Sequence, residues 1–273
     1  MEKFSVSMCV YGGDNPDWFR IAVESILNQT AKPDEVVLVV DGPVPEAMDA
    51  IICEYEKAPV FHVIRLEKNM GHGEARRTGL TACKNDLVAL MDADDISAPD
   101  RFEKQLKAFD TDPALTIVGG NITEFVDDPT NLVGARQVFV TDEEIKQDMK
   151  KRCSMNQMTV MFRKAAVERA GGYVDWYCDE DYYLWLRLML GGGVFANIPE
   201  PLVNVRVGKE MYQRRGGMKY FKSEAKLQKW MLQKKIIGFV TFMINVNKRL
   251  IVQVLLPNRL RGWVFQKFAR KPV

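Results

Sequence analysis

What most constrains the fold of this chain is a regular alternation of strand and helix patterns through its first half. Phe4, Val6, Met8 and Val10 alternate as a first strand. Asn15-Pro16 then offers an N-cap and a first-turn proline for a helix whose apolar face is Phe19, Val23, Ile26 and Leu27. Glu35 to Val40 is a near-continuous apolar strand that ends in an Asp41-Gly42-Pro43 turn. Phe61 to Leu66 and Leu87 to Met91 read as the third and fourth strands, with a helix from Gly73 to Cys83 between them. A helix from Asp100 to Phe109 and a strand from Leu115 to Gly119 follow. Such alternation predicts an α/β sheet covered by helices on both faces.

The second half is less regular. Thr141-Asp142-Glu143-Glu144 is a capping box that opens a helix. Met158 to Phe162 reads as a short strand, Lys164 to Ala170 as a helix stopped by Gly171-Gly172, and Asp179 to Leu190 as a helix stopped by Gly191-Gly192-Gly193. From about Glu224 onward the pattern is helical.

The 273 residues, 47% hydrophobic and 27% charged, suit an ordinary globular protein with a substantial core. The five cysteines are odd in number and scattered, and His62 and His72 are the only imidazoles, so neither a disulfide framework nor a zinc site is expected. A reducing cytoplasm is the expected compartment. Met1-Glu2-Lys3 runs straight into the first strand, which leaves no signal peptide to expect. The net charge of +2 conceals an asymmetry: no acidic residue follows Glu224, whereas eleven basic ones do. An acidic body with a basic, apolar tail points to an anionic surface as partner. Nucleic acid is not expected, because the large residues of the tail are mostly aliphatic rather than stacking aromatics.

Chemistry concentrates where strands end. Asp92, Asp94 and Asp95 crowd together just after the fourth strand, and repulsion among them calls for a cation or a set of donors. An Asp-x-Asp pair there suits a hard divalent ion with open positions for phosphate oxygens; taken alone, a solvated acidic turn serves equally. Val10-Tyr11-Gly12-Gly13 after the first strand and Asp41 after the second lie at the same expected edge. The glycines would let backbone approach a ligand, Tyr11 could stack on a base, and Asp41 could accept from a base N–H or a ribose hydroxyl. Together these describe a nucleotide pocket with a metal at its phosphate end.

The ordered motifs resemble those of family 2 glycosyltransferases with the GT-A fold. They are Ser5-Val6-Ser7-Met8-Cys9-Val10-Tyr11, Glu24 to Thr30, Val39-Val40-Asp41-Gly42, Asn69-Met70-Gly71 with Ala75-Arg76, Met91 to Asp95, Gly171-Gly172-Tyr173, and Glu180 to Arg187. The likeness extends to small bacterial enzymes of capsule, O-antigen and amylovoran synthesis. It implies a Rossmann-like, mainly parallel mixed sheet flanked by helices. Residues 1–223 would form the catalytic domain, with 1–120 as nucleotide-binding half and 121–223 as acceptor half, and 224–273 a helical, basic and apolar tail. It also implies that Val10, Tyr11, Asp41 and Arg76 hold a nucleotide-sugar. Asp92 would touch the ribose, and Asp94, with Asp92 beside it, would ligate Mg²⁺ or Mn²⁺. Asp181, with Glu180 next to it, would be the general base of an inverting hexosyl transfer from a UDP-sugar. The acceptor would be an undecaprenyl-diphosphate-linked saccharide.

Two departures bear on the pocket. The second strand ends in Asp-Gly-Pro, where many members carry a further Asp, and Asn156-Gln157 stands where relatives often have Asn-His. Arg206, Arg214 and Arg215 form a basic segment that either closes on the diphosphate or stays solvated. A sugar-1-phosphate nucleotidyltransferase and a non-catalytic binding protein on the same fold are the alternatives. The tail, with Thr241, Asn245, Arg249 and Gln253 as a polar stripe, is either an interfacial helix that holds the enzyme on the inner face of the cell membrane or a helix docked on its own domain.

Overall fold

The structure, a computed structural model, describes residues 2–208 and 216–257. Strand β1 (Phe4–Tyr11) leads into α1 (Pro16–Leu27), where Asn15 caps through its side-chain oxygen, which accepts from the N–H groups of Asp17 and Trp18. Then come β2 (Glu35–Asp41), α2 (Glu46–Tyr55), β3 (Phe61–Arg65), α3 (His72–Ala82) and β4 (Leu87–Met91). The short β5 (Ile96–Ser97) precedes α4 (Arg101–Thr111), β6 (Ile117–Phe125) and β7 (Leu132–Arg136). The second half contributes α5 (Asp142–Asp148), β8 (Met161–Arg163), α6 (Lys164–Arg169), α7 (Glu180–Leu190), β9 (Phe195–Arg206), α8 (Met218–Gln233) and α9 (Phe239–Leu250). A π-helical turn, Ile251–Leu255, extends α9.

Among the described residues all nine strands join one sheet, in the order β3-β2-β1-β4-β8-β6-β9-β5, with β7 added on β6. Strands β1 to β4 are mutually parallel, β8 runs antiparallel between β4 and β6, and β9 is parallel to β6. Alternation along β2 shows how the layers form: Val36, Leu38 and Val40 enter one core with Phe19, Val23, Ile26 and Phe102, while Val37 and Val39 enter the other with Leu80, Trp185 and Leu227. Period two in the strand thus feeds both helical layers. β1 alternates with polar residues because its second face carries Ser5 and Ser7. Ser5 donates to the buried Glu35 at 2.6 Å, and a Cβ on Gly79 of α3 would meet the Ser7 hydroxyl.

Helix α2 and strands β5 and β7 go unread in the sequence, and four further stretches differ from its reading. The Leu115–Gly119 strand starts later and runs on to Phe125, because β9 pairs along its whole length. β9 itself, with Pro199 and Pro201, has the composition of a loop; the ladder absorbs the prolines at a register shift opposite Gly120-Asn121. Met158–Phe162 splits into a 3₁₀ turn, Gln157–Thr159, and β8, since the Thr159 hydroxyl donates to the Asn156 carbonyl at 2.7 Å. The helix α8 crosses position 223 and buries Leu227 and Met231 in the layer that holds Val37, Val39 and Trp185.

Candidate active site

Sheet register brings the strand-end residues together. Tyr11 pairs with Asp41 across β1 and β2, and Met8 pairs with Met91, so the residues after β4 emerge beside Val10 and Tyr11. Val10 is buried and offers its backbone, while the Tyr11 ring stands half-exposed at the edge. The neighbouring glycines make room for the protein's own atoms. A Cβ on Gly12 would meet the Pro43 carbonyl, and one on Gly13 the Tyr11 ring.

Asp41 is buried, and both its carboxylate oxygens accept backbone N–H groups, from Met70 at 2.6 Å and Gly71 at 3.0 Å. It therefore clamps the Asn69-Met70-Gly71 loop that opens α3. Gly42 makes that clamp possible: its φ is +85°, and a Cβ there would collide with the backbone of Lys68 and Asn69.

From that loop α3 projects two residues one turn apart onto one face, His72 and Arg76. The buried Arg76 donates to Asp92 at 2.5 Å and, through Nε, to His72 Nε2 at 3.0 Å. With Nε2 accepting, the imidazole proton sits on Nδ1 and is donated to Glu180 Oε1 at 2.9 Å. A run of contacts thus links the aspartates after β4 to the carboxylates at the start of α7.

The carboxylates differ in environment. Burial first, then Asp92 and Asp14, pushes Asp94 up to about 6, and burial, then Asp94, raises the buried Asp95 well above the usual carboxylate range. Asp14 is also raised, by burial and then by Asp92, against the Tyr11 N–H it accepts. Such mutual repulsion among Asp14, Asp92 and Asp94 suits a divalent cation. Among the described residues no group of three His, Cys, Asp or Glu side chains forms a cage. An ion here would need oxygens from a bound phosphate, as Mg²⁺-type sites commonly use.

At α7, burial favours the neutral form of Glu180, but the hydrogen bond from His72, its own backbone N–H and the charges of His72 and Arg76 together outweigh this and its pKa falls. Asp181 accepts only from the backbone, the Tyr182 N–H at 2.6 Å, and burial and then Glu180 push it up to about 6 against that bond. Asp179 rises to about 8 through burial, Glu224 and Asp181. Tyr173, whose hydroxyl accepts from Gln157 Nε2 at 3.2 Å, lies close enough to Arg76 and Asp181 to feel both charges.

Of the residues singled out in sequence, Val10, Tyr11, Asp41, Arg76, Asp92, Asp94, Glu180 and Asp181 gather around this edge; Arg214 and Arg215 lie outside the described residues. Arg206 is no part of a loose basic loop. It closes β9, its N–H donates to Asp95 at 2.9 Å, and its guanidinium lies over the rings of Trp18 and Phe125 at 4.4 and 4.6 Å. His72 escaped sequence reading as a bridging group, although its spacing from Arg76 was the available signal.

Comparison with known proteins agrees with this geometry. The family model described as glycosyl transferase family 2 matches residues 5–171. An uncharacterized glycosyltransferase of Haemophilus influenzae is 40% identical over 98% of this chain and 100% of its own length. The amylovoran biosynthesis glycosyltransferase AmsE of Erwinia amylovora is 35% identical over 97% and 98% of the two chains. The Escherichia coli UDP-Gal:alpha-D-GlcNAc-diphosphoundecaprenol beta-1,3-galactosyltransferase is 36% identical over 98% and 97%. Among solved structures, TarS 1-349 of S. aureus in complex with UDP-GlcNAc superposes with a TM-score of 0.67 at 15% identity, covering 97% of this chain and 76% of that one. Sheet, strand-end aspartates and sequence kinship all lead to one assignment: the chain belongs to glycosyltransferase family 2 and has the GT-A fold.

Proposed function

We propose that this glycosyltransferase moves a hexose from a UDP-sugar to a hydroxyl of a lipid-diphosphate-linked saccharide, with inversion, at the inner face of the cell membrane during surface-polysaccharide synthesis. The observation that carries this reading is the contact run Asp92–Arg76–His72–Glu180, which couples a diphosphate end to an acceptor end over one turn of α3. The relatives support the substrate classes: one is named for an undecaprenol-diphosphate-linked acceptor and a UDP-sugar donor, another for amylovoran biosynthesis.

Inversion needs one base on the side opposite the leaving group. Asp181, set near neutrality by burial and Glu180, takes the proton from the acceptor hydroxyl. As that O–H bond breaks, its oxygen bonds to the anomeric carbon and the bond to the nucleoside diphosphate opens on the far face. Glu180, held by His72, stays ionised and orients the acceptor edge. Arg76 places Asp92 toward the ribose, and Val10 and Tyr11 frame the base, with Asp41 fixing the loop beneath it. Asp94 and Asp92 would hold Mn²⁺ or Mg²⁺, which when bound neutralises charge on the departing diphosphate. Arg214 and Arg215 are proposed to add positive charge there.

The test is UDP release from UDP-hexoses, offered with a lipid-diphosphate-linked N-acetylhexosamine acceptor. Turnover should require both substrates, vanish in EDTA and return with Mn²⁺ or Mg²⁺. Release from GDP- or dTDP-sugars alone would overturn the donor assignment, and full activity after exhaustive chelation would overturn the metal.

A further inference from the structure

Helix α9 is built inside out. Asn245 and Gln253, both polar, are 4% and 5% exposed, whereas Phe239, Val240 and Leu255 are 66%, 71% and 66% exposed. A helix on the surface of a water-soluble domain presents the opposite arrangement. The buried stripe is tied to the body of the protein. Asn245 Nδ2 donates to the Lys150 carbonyl at 2.9 Å and to Gln228 Oε1 at 2.8 Å. Arg249 donates to the Lys151 carbonyl at 3.1 Å and pairs with Glu224, which also accepts from Gln253 Nε2 at 3.0 Å. These polar contacts, with Phe242 packed on the core, fix which way the helix faces and turn the rest of its apolar side outward.

The outward face joins Phe239, Val240, Met243 and Ile244 on α9 to Ile251 and Leu255 on the π turn. Lys234, Lys235 and Lys248 are exposed near it, and after Glu224 the sequence holds no carboxylate side chain. Among the described residues no helix is long and apolar enough to cross a membrane. An apolar face with lysines near it suits acyl chains beneath anionic headgroups.

We propose that this face lies in the headgroup–acyl boundary of an anionic bilayer, with the polar stripe acting as the joint that ties the bilayer-bound helix to the catalytic domain. The joint reaches the site through α8. Ser223, next to Glu224, donates to the Tyr177 carbonyl at 2.6 Å in the loop before α7, and Glu224 is among the charges that raise Asp179. The bilayer would thus lie one helix layer from Glu180 and Asp181, where a lipid-linked acceptor has to arrive. That purpose rests on the acceptor proposed above; the docking itself does not.

The experiment uses the full chain and flotation on vesicles of phosphatidylethanolamine and phosphatidylglycerol. A triple variant, Val240→Glu with Ile244→Glu and Leu255→Glu, is compared with wild type, with the same positions changed to Gln, and with Val133→Glu on exposed β7 as control. Circular dichroism verifies folding. Wild type and control should float, and the Glu and Gln variants should lose about tenfold or more of their bilayer partitioning, while hydrolysis of UDP-sugar in solution is unchanged. Variants that float like wild type would overturn the proposal. So would a wild type that stays off the vesicles, with light scattering then showing whether a second copy covers the face. Loss of flotation without loss of transfer to acceptor in detergent would separate docking from the function proposed above.

Discussion

At the scale of single residues, Glu180 and Asp181 are neighbours with opposite electrostatic settings. The His72 hydrogen bond, the Glu180 backbone N–H and the charges of His72 and Arg76 lower the pKa of Glu180 in spite of burial. For Asp181, burial and Glu180 prevail over the Tyr182 N–H and push it up to about 6. A base is most effective when its pKa lies near the working pH, which favours Asp181. Because the base must be deprotonated, kcat/KM should rise with pH through about 6 and level off above it. Asp181→Asn should lower turnover by ~10²–10⁴ and erase that acid limb, while calorimetry finds UDP and metal bound as before. A variant that keeps both rate and limb would move the base to another group. The pair was legible in sequence as acidic residues at a helix start; the asymmetry was not. It depends on His72, 108 positions away from Glu180, and no local pattern announces a partner at that distance.

Among the elements, the turn after β2 has the least freedom. Asp41 holds the Met70 and Gly71 N–H groups only while Gly42 stays in its left-handed conformation against Lys68 and Asn69. Gly42→Ala should cost roughly 1–3 kcal/mol in urea unfolding, the usual range for a strained residue at such a position. It should also weaken UDP binding by releasing the start of α3. An unchanged midpoint and affinity would show that the loop stands without the clamp. Elements with clean periodicity, from β1 to β4 and α1, α3, α4 and α7, were readable from the chain almost to the residue. α2 went unread because Pro45 gives it no side-chain cap. β9 went unread because prolines disguise a strand whose partner is β6. For α9 the polar stripe was visible, but periodicity does not say which side meets the protein. Glu224, Gln228, the carbonyls of Lys150 and Lys151, and the core under Phe242 decide that.

At the scale of the whole molecule, the fold class was legible because β2 and β4 are apolar on both faces and so demand a helical layer on each. The junction between the two halves was not, since β8 is only three residues long and its place between β4 and β6 is a matter of pairing. That junction has a mechanical consequence. Hydrogen bonds run without a break from β3 to β5, and the fully buried Arg101 donates to the Leu90 carbonyl of β4 at 2.7 Å from beneath the seam. Two lobes that share a ladder cannot rotate about a hinge without tearing it, so closure on substrate is confined to segments that leave the sheet. Small-angle scattering with and without UDP and Mn²⁺ should therefore give superimposable profiles, and a contraction of the radius of gyration would mean that the seam opens. A continuous sheet of this kind would act as one plate: ligand exchange would fall to the loops, and the separation of the proposed diphosphate end from Asp181 would be set when the chain folds.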